Sequence, residues 1–299
     1  MTIEIKSYTY EEMPEFTPRA EGSFEIVMTG EEIQIEYLPN VIYDGELRLQ
    51  IIRPKQMNHP GKTYPCVVFV QGSAWMKQDI YRNIPNLSKL AALGYVVALV
   101  EYRHSGIAHF PSCIVDAKNA IRFLKKNAET YHVDVNKVII MGDSSGGQVA
   151  CLTGMTCNTD LLDENHYEGI DCTVKGIINL YGAIEVTLPY GFPTTPNHQL
   201  PDSPEGMYLG FNIRENEQKA RVANALTYVD QTYGPMLILH GTKDRLVYCE
   251  QSHRLYEAMK KADKDVALYY IKGADHGGAA FWTNEVVDLY HNFIQKCIK

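Results

Sequence analysis

The chain has 299 residues, 45% hydrophobic and 21% charged, with 28 Lys and Arg against 36 Asp and Glu and a formal net charge of −8. That balance excludes chain-wide disorder, which needs low apolar content and high net charge. It also argues against a nucleic-acid partner, because no long basic run offers itself to phosphates. No stretch approaches the roughly 18 apolar residues of a membrane helix, and the opening MTIEIKSYTYEEMPEF lacks the basic start and apolar run of a secretory signal. No membrane partner is expected. The seven cysteines are scattered, form no C-x-x-C pair and in part sit inside apolar runs. They read as reduced, buried thiols, which points to a cytoplasmic location.

Residues 1–30 are polar and read as an irregular extension, with a single α/β domain over 31–299. The segments EIQIEYL (32–38) and ELRLQIIRP (46–54) alternate polar and apolar residues around the turn Tyr43-Asp44-Gly45. They predict an antiparallel hairpin of two half-exposed strands. From residue 65 the texture changes to short continuous runs: CVVFVQG (66–72), YVVALVEY (95–102), KVIIMGD (137–143), VKGIINLYG (174–182), PMLILHG (235–241) and VALYYIKG (266–273). Runs of this kind predict strands buried on both faces. Helical patterns separate them. In SCIVDAKNAIRFLKKNA, Ile114, Ala117, Ile121 and Leu124 share one face, and residues 249–262 and 284–297 read likewise. Strands alternating with helices predict a mostly parallel sheet covered on both sides. Residues 183–227 break the rhythm with five prolines, Pro189, Pro193, Pro196, Pro201 and Pro204. A long insertion of that composition is expected to form a cap over the C-terminal edge of the sheet.

The sharpest feature is Gly142-Asp143-Ser144-Ser145-Gly146-Gly147, which follows the strand KVIIM and precedes the helical stretch QVACLTGM. The G-x-S-x-G frame fits Ser144 and not Ser145, because a shift by one would put Asp143 where the first glycine must stand. Such a turn holds a serine at its tip in a strained conformation, and small residues two before and two after prevent clashes. The helix that follows presents free N–H groups and a positive dipole to developing negative charge.

A nucleophilic serine needs a base and an acid to orient that base, in the order Ser, Asp, His for this architecture. Asp244 lies just past PMLILHG and His276 just past VALYYIKG, both beyond strand ends, where catalytic groups of parallel sheets gather. Asp275 is a rival acid, but it adjoins His276 and is expected to point away from the ring. His240 lies within a strand end and reads as structural. The oxyanion hole needs one N–H from the residue after the nucleophile, Ser145, and another from the loop after an early strand, here Gln71-Gly72-Ser73-Ala74-Trp75. Ser73 and Ala74 are the candidates there. No metal pattern stands out: H-E-x-x-H is absent, and His104 and His109 have no cysteine pair beside them. Neither a metal nor any other cofactor is expected.

With these stretches in view, the chain resembles an α/β-hydrolase of the hormone-sensitive-lipase-like class. Its likeness is to the bacterial branch of feruloyl-esterase-like and acetylxylan-esterase-like carbohydrate esterases. The matching stretches are GDSSGG, DSPEGMYLG (202–210), NALTYVD (224–230), LHGTKDRLV (239–247) and KGADHGG (272–278). The resemblance implies Ser144 as nucleophile, Asp244 as acid and His276 as base. It also implies small acyl esters, acetyl or feruloyl, on plant-derived oligosaccharides as substrates, and it is compatible with an oligomer. One departure is visible: the family usually carries H-G-G-G-W at the early loop, whereas this chain has Q-G-S-A-W. Ser73 or Ala74 would be strained at positive φ, so the loop is expected to take a conformation ordinary for L-residues, with the Ser73 and Ala74 N–H groups directed inward. Trp75 is expected beside the acyl carbonyl, with Tyr190 and Phe192 of the insertion on the opposite wall. Two other enzyme readings keep the same triad, an arylformamidase and a small peptidase. A reading of another class is a non-catalytic binding protein on the same fold.

Overall fold

In the computed structural model, which describes residues 6–55, 61–188 and 198–299, the chain divides into two units, one ending at Glu32 and the other spanning Ile33–Lys299. Every described residue of the first unit is exposed. Its ties are local, with Arg19 meeting Glu15 at 3.0 Å and also Glu25.

The second unit is built on one eight-stranded sheet. Its strands are β1 (Ile35–Asp44), β2 (Leu47–Pro54), β3 (Tyr64–Val70), β4 (Val96–Val100), β5 (Val133–Asp143), β6 (Gly176–Leu180), β7 (Met236–Gly241) and β8 (Val266–Ile271). They lie in the order β1-β2-β4-β3-β5-β6-β7-β8. The predicted hairpin is β1–β2, antiparallel, with β2 also antiparallel to β4; every other pairing is parallel. Half exposure holds for β1 but not for β2, which is mostly buried because it is bonded on both edges. Conversely, β8 closes the sheet as an edge strand, so its residues are only partly covered instead of buried on both faces.

Helices follow the strands: α1 (Ile84–Ala92), α2 (Ser112–Lys126), α3 (Ala128–Tyr131), α4 (Ser145–Met155), α5 (Pro204–Leu209), α6 (Glu217–Ala220), α7 (Cys249–Lys261) and α8 (Asn284–Ile298). They cover both faces. Along β4, Val96, Ala98 and Val100 belong to the core under α2 and α4, while Val97 and Leu99 belong to the core under α1 and α8. That is the period-two alternation of a strand with apolar neighbours on either side. The architecture is α/β throughout.

Because β3, β5, β6, β7 and β8 run parallel, the segments leaving their C-terminal ends emerge on one edge of the sheet. The loop after β3, the β5–α4 turn and the segments after β7 and β8 therefore meet there. Within 183–227, the described residues carry α5, α6 and short 3₁₀ turns. They are tied to α4 by Gln148 Nε2 donating to Ala223 O at 2.8 Å, and to the chain leaving β6 by the Ala225 N–H donating to Ile184 O at 2.8 Å. Among the described residues, no helix is long and apolar enough to cross a membrane. All seven cysteines are free and five are buried. Burial pushes the Cys66 and Cys113 thiols up to about 12.

Candidate active site

Strand β5 ends at Asp143 and α4 begins at Ser145, so Ser144 makes the whole turn, at φ 54° and ψ −128°. A non-glycine residue in that region costs on the order of 1–3 kcal/mol and persists only where the surroundings impose it. The surroundings are visible. A Cβ on Gly142 would lie 2.2 Å from Gly146 O, and one on Gly146 would lie 2.1 Å from Val70 O. The two glycines of the frame are thus required by close approach of backbone to backbone. The Ser144 N–H donates to Leu180 O at 2.9 Å, which fastens the turn to the end of β6.

The Ser144 hydroxyl lies 2.9 Å from His276 Nε2, and His276 Nδ1 lies 2.7 Å from Asp244 Oδ2. The His276 side chain is 14% exposed, within reach of a substrate, while that of Asp244 is fully covered. Asp244 Oδ1 accepts the N–H groups of Leu246 and Val247 at 2.8 and 2.9 Å. Burial by itself would raise its pKa, but hydrogen bonds from His240 and His276 outweigh it and hold the carboxyl well below the usual carboxylate range. With Asp244 ionised, Nδ1 of His276 carries the proton and Nε2 is left to accept the serine O–H. Asp275 points away and instead holds Arg245, whose Nε donates to Oδ2 at 2.7 Å.

His240, read from the sequence as structural, is in contact with this system. Its ring is fully buried, with Nε2 3.0 Å from Val247 O and 3.2 Å from Asp244 Oδ2, and Nδ1 2.7 Å from Ser252 Oγ. Nε2 therefore donates toward the carboxylate, and Nδ1 accepts the Ser252 O–H.

The loop after β3 differs from expectation. Ala74 and Trp75 adopt φ 55° and 54°, the left-handed region that L-residues visit at a cost. The Ser73 N–H is not free for an oxyanion, because it donates to the Ser145 hydroxyl at 3.0 Å, and so does the Trp75 N–H at 3.1 Å. Ser145 Oγ thus fills the turn that glycines would otherwise relax. Gly72 N–H is likewise taken, by Asp143 Oδ1 at 2.7 Å. The Ala74 N–H and the Ser145 N–H, the latter at the first position of α4, meet no acceptor among the described residues.

Trp75 is not among the residues lining the cleft of Ser144 and His276. It is 2% exposed, stacked on Tyr208 at 4.5 Å and 7°, with Nε1 donating to Gln148 Oε1 at 3.1 Å. The positive φ turns its side chain inward under α5, away from the nucleophile. Trp75→Ala is therefore expected to cost about 3–5 kcal/mol of stability, the usual loss for a buried large aromatic, with no change in acyl-length preference. Urea unfolding together with kcat/KM for acetyl, butyryl and octanoyl 4-nitrophenyl esters checks this. Tyr190 and Phe192 lie outside the described residues.

The cleft that holds Ser144 and His276 has a volume of about 460 Å³. It is lined by Gly72–Ala74, Arg82, Asn83, Asn86, Asp143, Tyr181, Leu246, Gly277, Gly278 and Trp282 as well. No described residue of 183–227 lines it. The start of α1 and the residues leading into it contribute Arg82, Asn83 and Asn86 to the lining. The Tyr181 ring stands edge-on to His276 at 4.7 Å and its O–H donates to Asp143 Oδ2 at 3.3 Å.

A family model described as BD-FAE matches residues 49–259, from β2 through most of α7. The chain belongs to the BD-FAE family. Esterase LipC of Mycobacterium tuberculosis is 28% identical over 232 residues, covering 77% of this chain and 56% of LipC. The isoprenylcysteine alpha-carbonyl methylesterase ICME of Arabidopsis thaliana is 24% identical over 249 residues, 79% of this chain and 56% of its own. The chain thus spans about half the length of these curated relatives. Among solved structures, a truncated carbohydrate esterase from gut microbiota superposes with a TM-score of 0.78 at 22% identity, covering 91% of this chain and 98% of the other. The butyrate-bound esterase Est2 of Thermogutta terrifontis gives 0.70 at 23%, covering 90% and 95%. The fold is that of the α/β-hydrolases.

Within this BD-FAE member, three features were not read from the sequence. The Ser145 hydroxyl accepts two N–H groups of the loop after β3; the doubled serine of GDSSGG was the available sign. His240 shares the carboxylate of Asp244, and the H-G-x-x-D spacing held that clue. The Arg82-Asn83-Asn86 wall left no sign, since it depends on where α1 docks.

Proposed function

We propose that this chain is a serine carboxylic ester hydrolase acting on small acyl esters, acetyl or feruloyl, of plant-derived oligosaccharides. The observation that carries the reading is the hydrogen-bonded series Ser144–His276–Asp244 at the C-terminal edge of the sheet, beside two uncommitted backbone N–H groups. In this reading Ser144 Oγ attacks the ester carbonyl while His276 Nε2 takes its proton, and Asp244 stabilises the imidazolium. The N–H groups of Ala74 and Ser145 receive the oxyanion, each worth about 3–4 kcal/mol in the transition state. The tetrahedral intermediate collapses, His276 returns the proton to the leaving alcohol, and water repeats the sequence on the acyl-enzyme. Residues 31–299 form the catalytic domain, 183–227 its cap insertion, and 1–30 an extension outside the reaction. The unpaired cysteines suit a reducing compartment, where the substrates would be imported oligosaccharides and not polymer.

The test is kcat/KM of the purified protein on 4-nitrophenyl acetate, acetylated xylo-oligosaccharide, methyl ferulate and N-formylkynurenine. Turnover of the oligosaccharide ester or the ferulate above the formamide is the expected result. Preference for N-formylkynurenine would make the chain an arylformamidase, and no turnover of any, with no labelling of Ser144 by a fluorophosphonate, would leave a binding protein.

A further inference from the structure

Arg82 projects from the segment that leads into α1 and lines the same cleft as Ser144 and His276. Most arginines of the fold are engaged by a carboxylate: Arg53 by Glu36 at 2.7 Å, Arg103 by Asp116 at 2.8 Å, Arg122 by Asp163 at 2.5 Å and Arg254 by Glu185 at 2.7 Å. The Arg82 guanidinium has no such partner among the described residues, and only its backbone N–H is bonded, to Asp79 O at 3.2 Å. The one acidic side chain in the cleft lining is Asp143, which accepts the Gly72 N–H and the Tyr181 O–H; the Arg82 charge acts on it from beyond hydrogen-bond distance and leaves the guanidinium N–H groups uncommitted. Neighbouring Asn83 and Asn86 bring amides, of which Asn83 gives its Nδ2 to Gln71 Oε1 at 3.2 Å.

A fork-shaped cation whose guanidinium makes no hydrogen bond among the described residues, beside two amides and lining the same cleft as the nucleophile, is an arrangement for receiving an anion. The planar fork matches a carboxylate in two parallel hydrogen bonds.

We infer that Arg82 is the counter-ion for a carboxylate carried by the ester substrate, so that the enzyme selects anionic esters such as acylated, uronate-bearing oligosaccharides. The inference rests on the esterase reading and deepens it. The carboxylate could sit on the alcohol, as in a uronate, or on the acyl group, as in a half-ester of a dicarboxylic acid.

Two matched pairs separate these sources. Sodium 4-acetoxybenzoate against its methyl ester puts the charge on the alcohol; mono-4-nitrophenyl succinate against 4-nitrophenyl butyrate puts it on the acyl group. Each kcat/KM is divided by that ester's own alkaline hydrolysis rate. One pair is expected to favour its anionic member by roughly 10- to 100-fold, the range of a net charged hydrogen bond. Arg82→Gln should abolish that ratio and Arg82→Lys should keep part of it. In the wild-type protein, added salt should shrink the ratio, which needs no variant at all. Equal rates within both pairs, or a preference that survives Arg82→Gln, would overturn the inference. Failure of the esterase reading looks different, because the neutral members would then also go unhydrolysed.

Discussion

Ser144→Ala is expected to lower kcat by roughly 10⁴-fold or more, because members of such a triad act as a unit and the oxyanion donors alone retain only a remnant of the rate. The change removes one oxygen from a turn whose backbone is set by Gly142 and Gly146 packing on each other and on Val70. Alanine meets the same steric demand as serine at φ 54°, so circular dichroism and melting temperature should stay close to wild type. Two readouts check it together: hydrolysis of 4-nitrophenyl acetate, and covalent labelling by a fluorophosphonate followed by mass spectrometry. The wild-type protein should label once, on the peptide containing Ser144, and the variant should not label. Retained turnover with lost labelling would mean that another group attacks the ester and that the His276–Ser144 hydrogen bond belongs to the fold alone.

The strands and the three residues of the hydrogen-bonded series were legible in the sequence for a local reason. Val- and Ile-rich runs fix β3 through β7, and the chain must turn sharply where each run ends, so Ser144, Asp244 and His276 could be located without knowing what packs on what. What escaped was set by distant packing. Trp75 ends the glycine-containing loop after β3, yet its ring lies in the core because Tyr208 and Gln148 offer it a stacking face and an acceptor. The loop accepts left-handed backbone at Ala74 and Trp75 because Ser145 Oγ takes two of its N–H groups, a compensation no local pattern announces. The same holds for the burial of β2, which depends on which strand lies beyond it, and for the polar cleft wall, which depends on where α1 docks.

Asp244→Asn is expected to cost on the order of 10⁴-fold in kcat, since an amide no longer selects the His276 tautomer whose Nε2 accepts the serine proton. The carboxylate here accepts four donors: the N–H groups of Leu246 and Val247, and the rings of His276 and His240. An asparagine keeps one acceptor oxygen and turns an N–H toward one pair of those donors, so stability should fall by about 1–3 kcal/mol as well. Stability and activity can be separated by pH. The Asp244 carboxyl is held below its ordinary range in the fold, so its ionised form contributes stability that is fully present above the unfolded value near 4 and is lost as pH falls toward the folded value. Urea unfolding of both proteins at neutral pH and in steps below pH 4 should show the wild-type advantage shrinking by up to about 1.4 kcal/mol per pH unit. His240→Phe supplies the contrast. It keeps the carboxylate and its bond to His276 but removes the second ring, so the acid-range slope should flatten while kcat falls far less than in Asp244→Asn. If instead His240→Phe matched the kcat loss of Asp244→Asn, His240 would be fixing the carboxylate in the orientation that His276 requires. The working unit would then be four side chains instead of three.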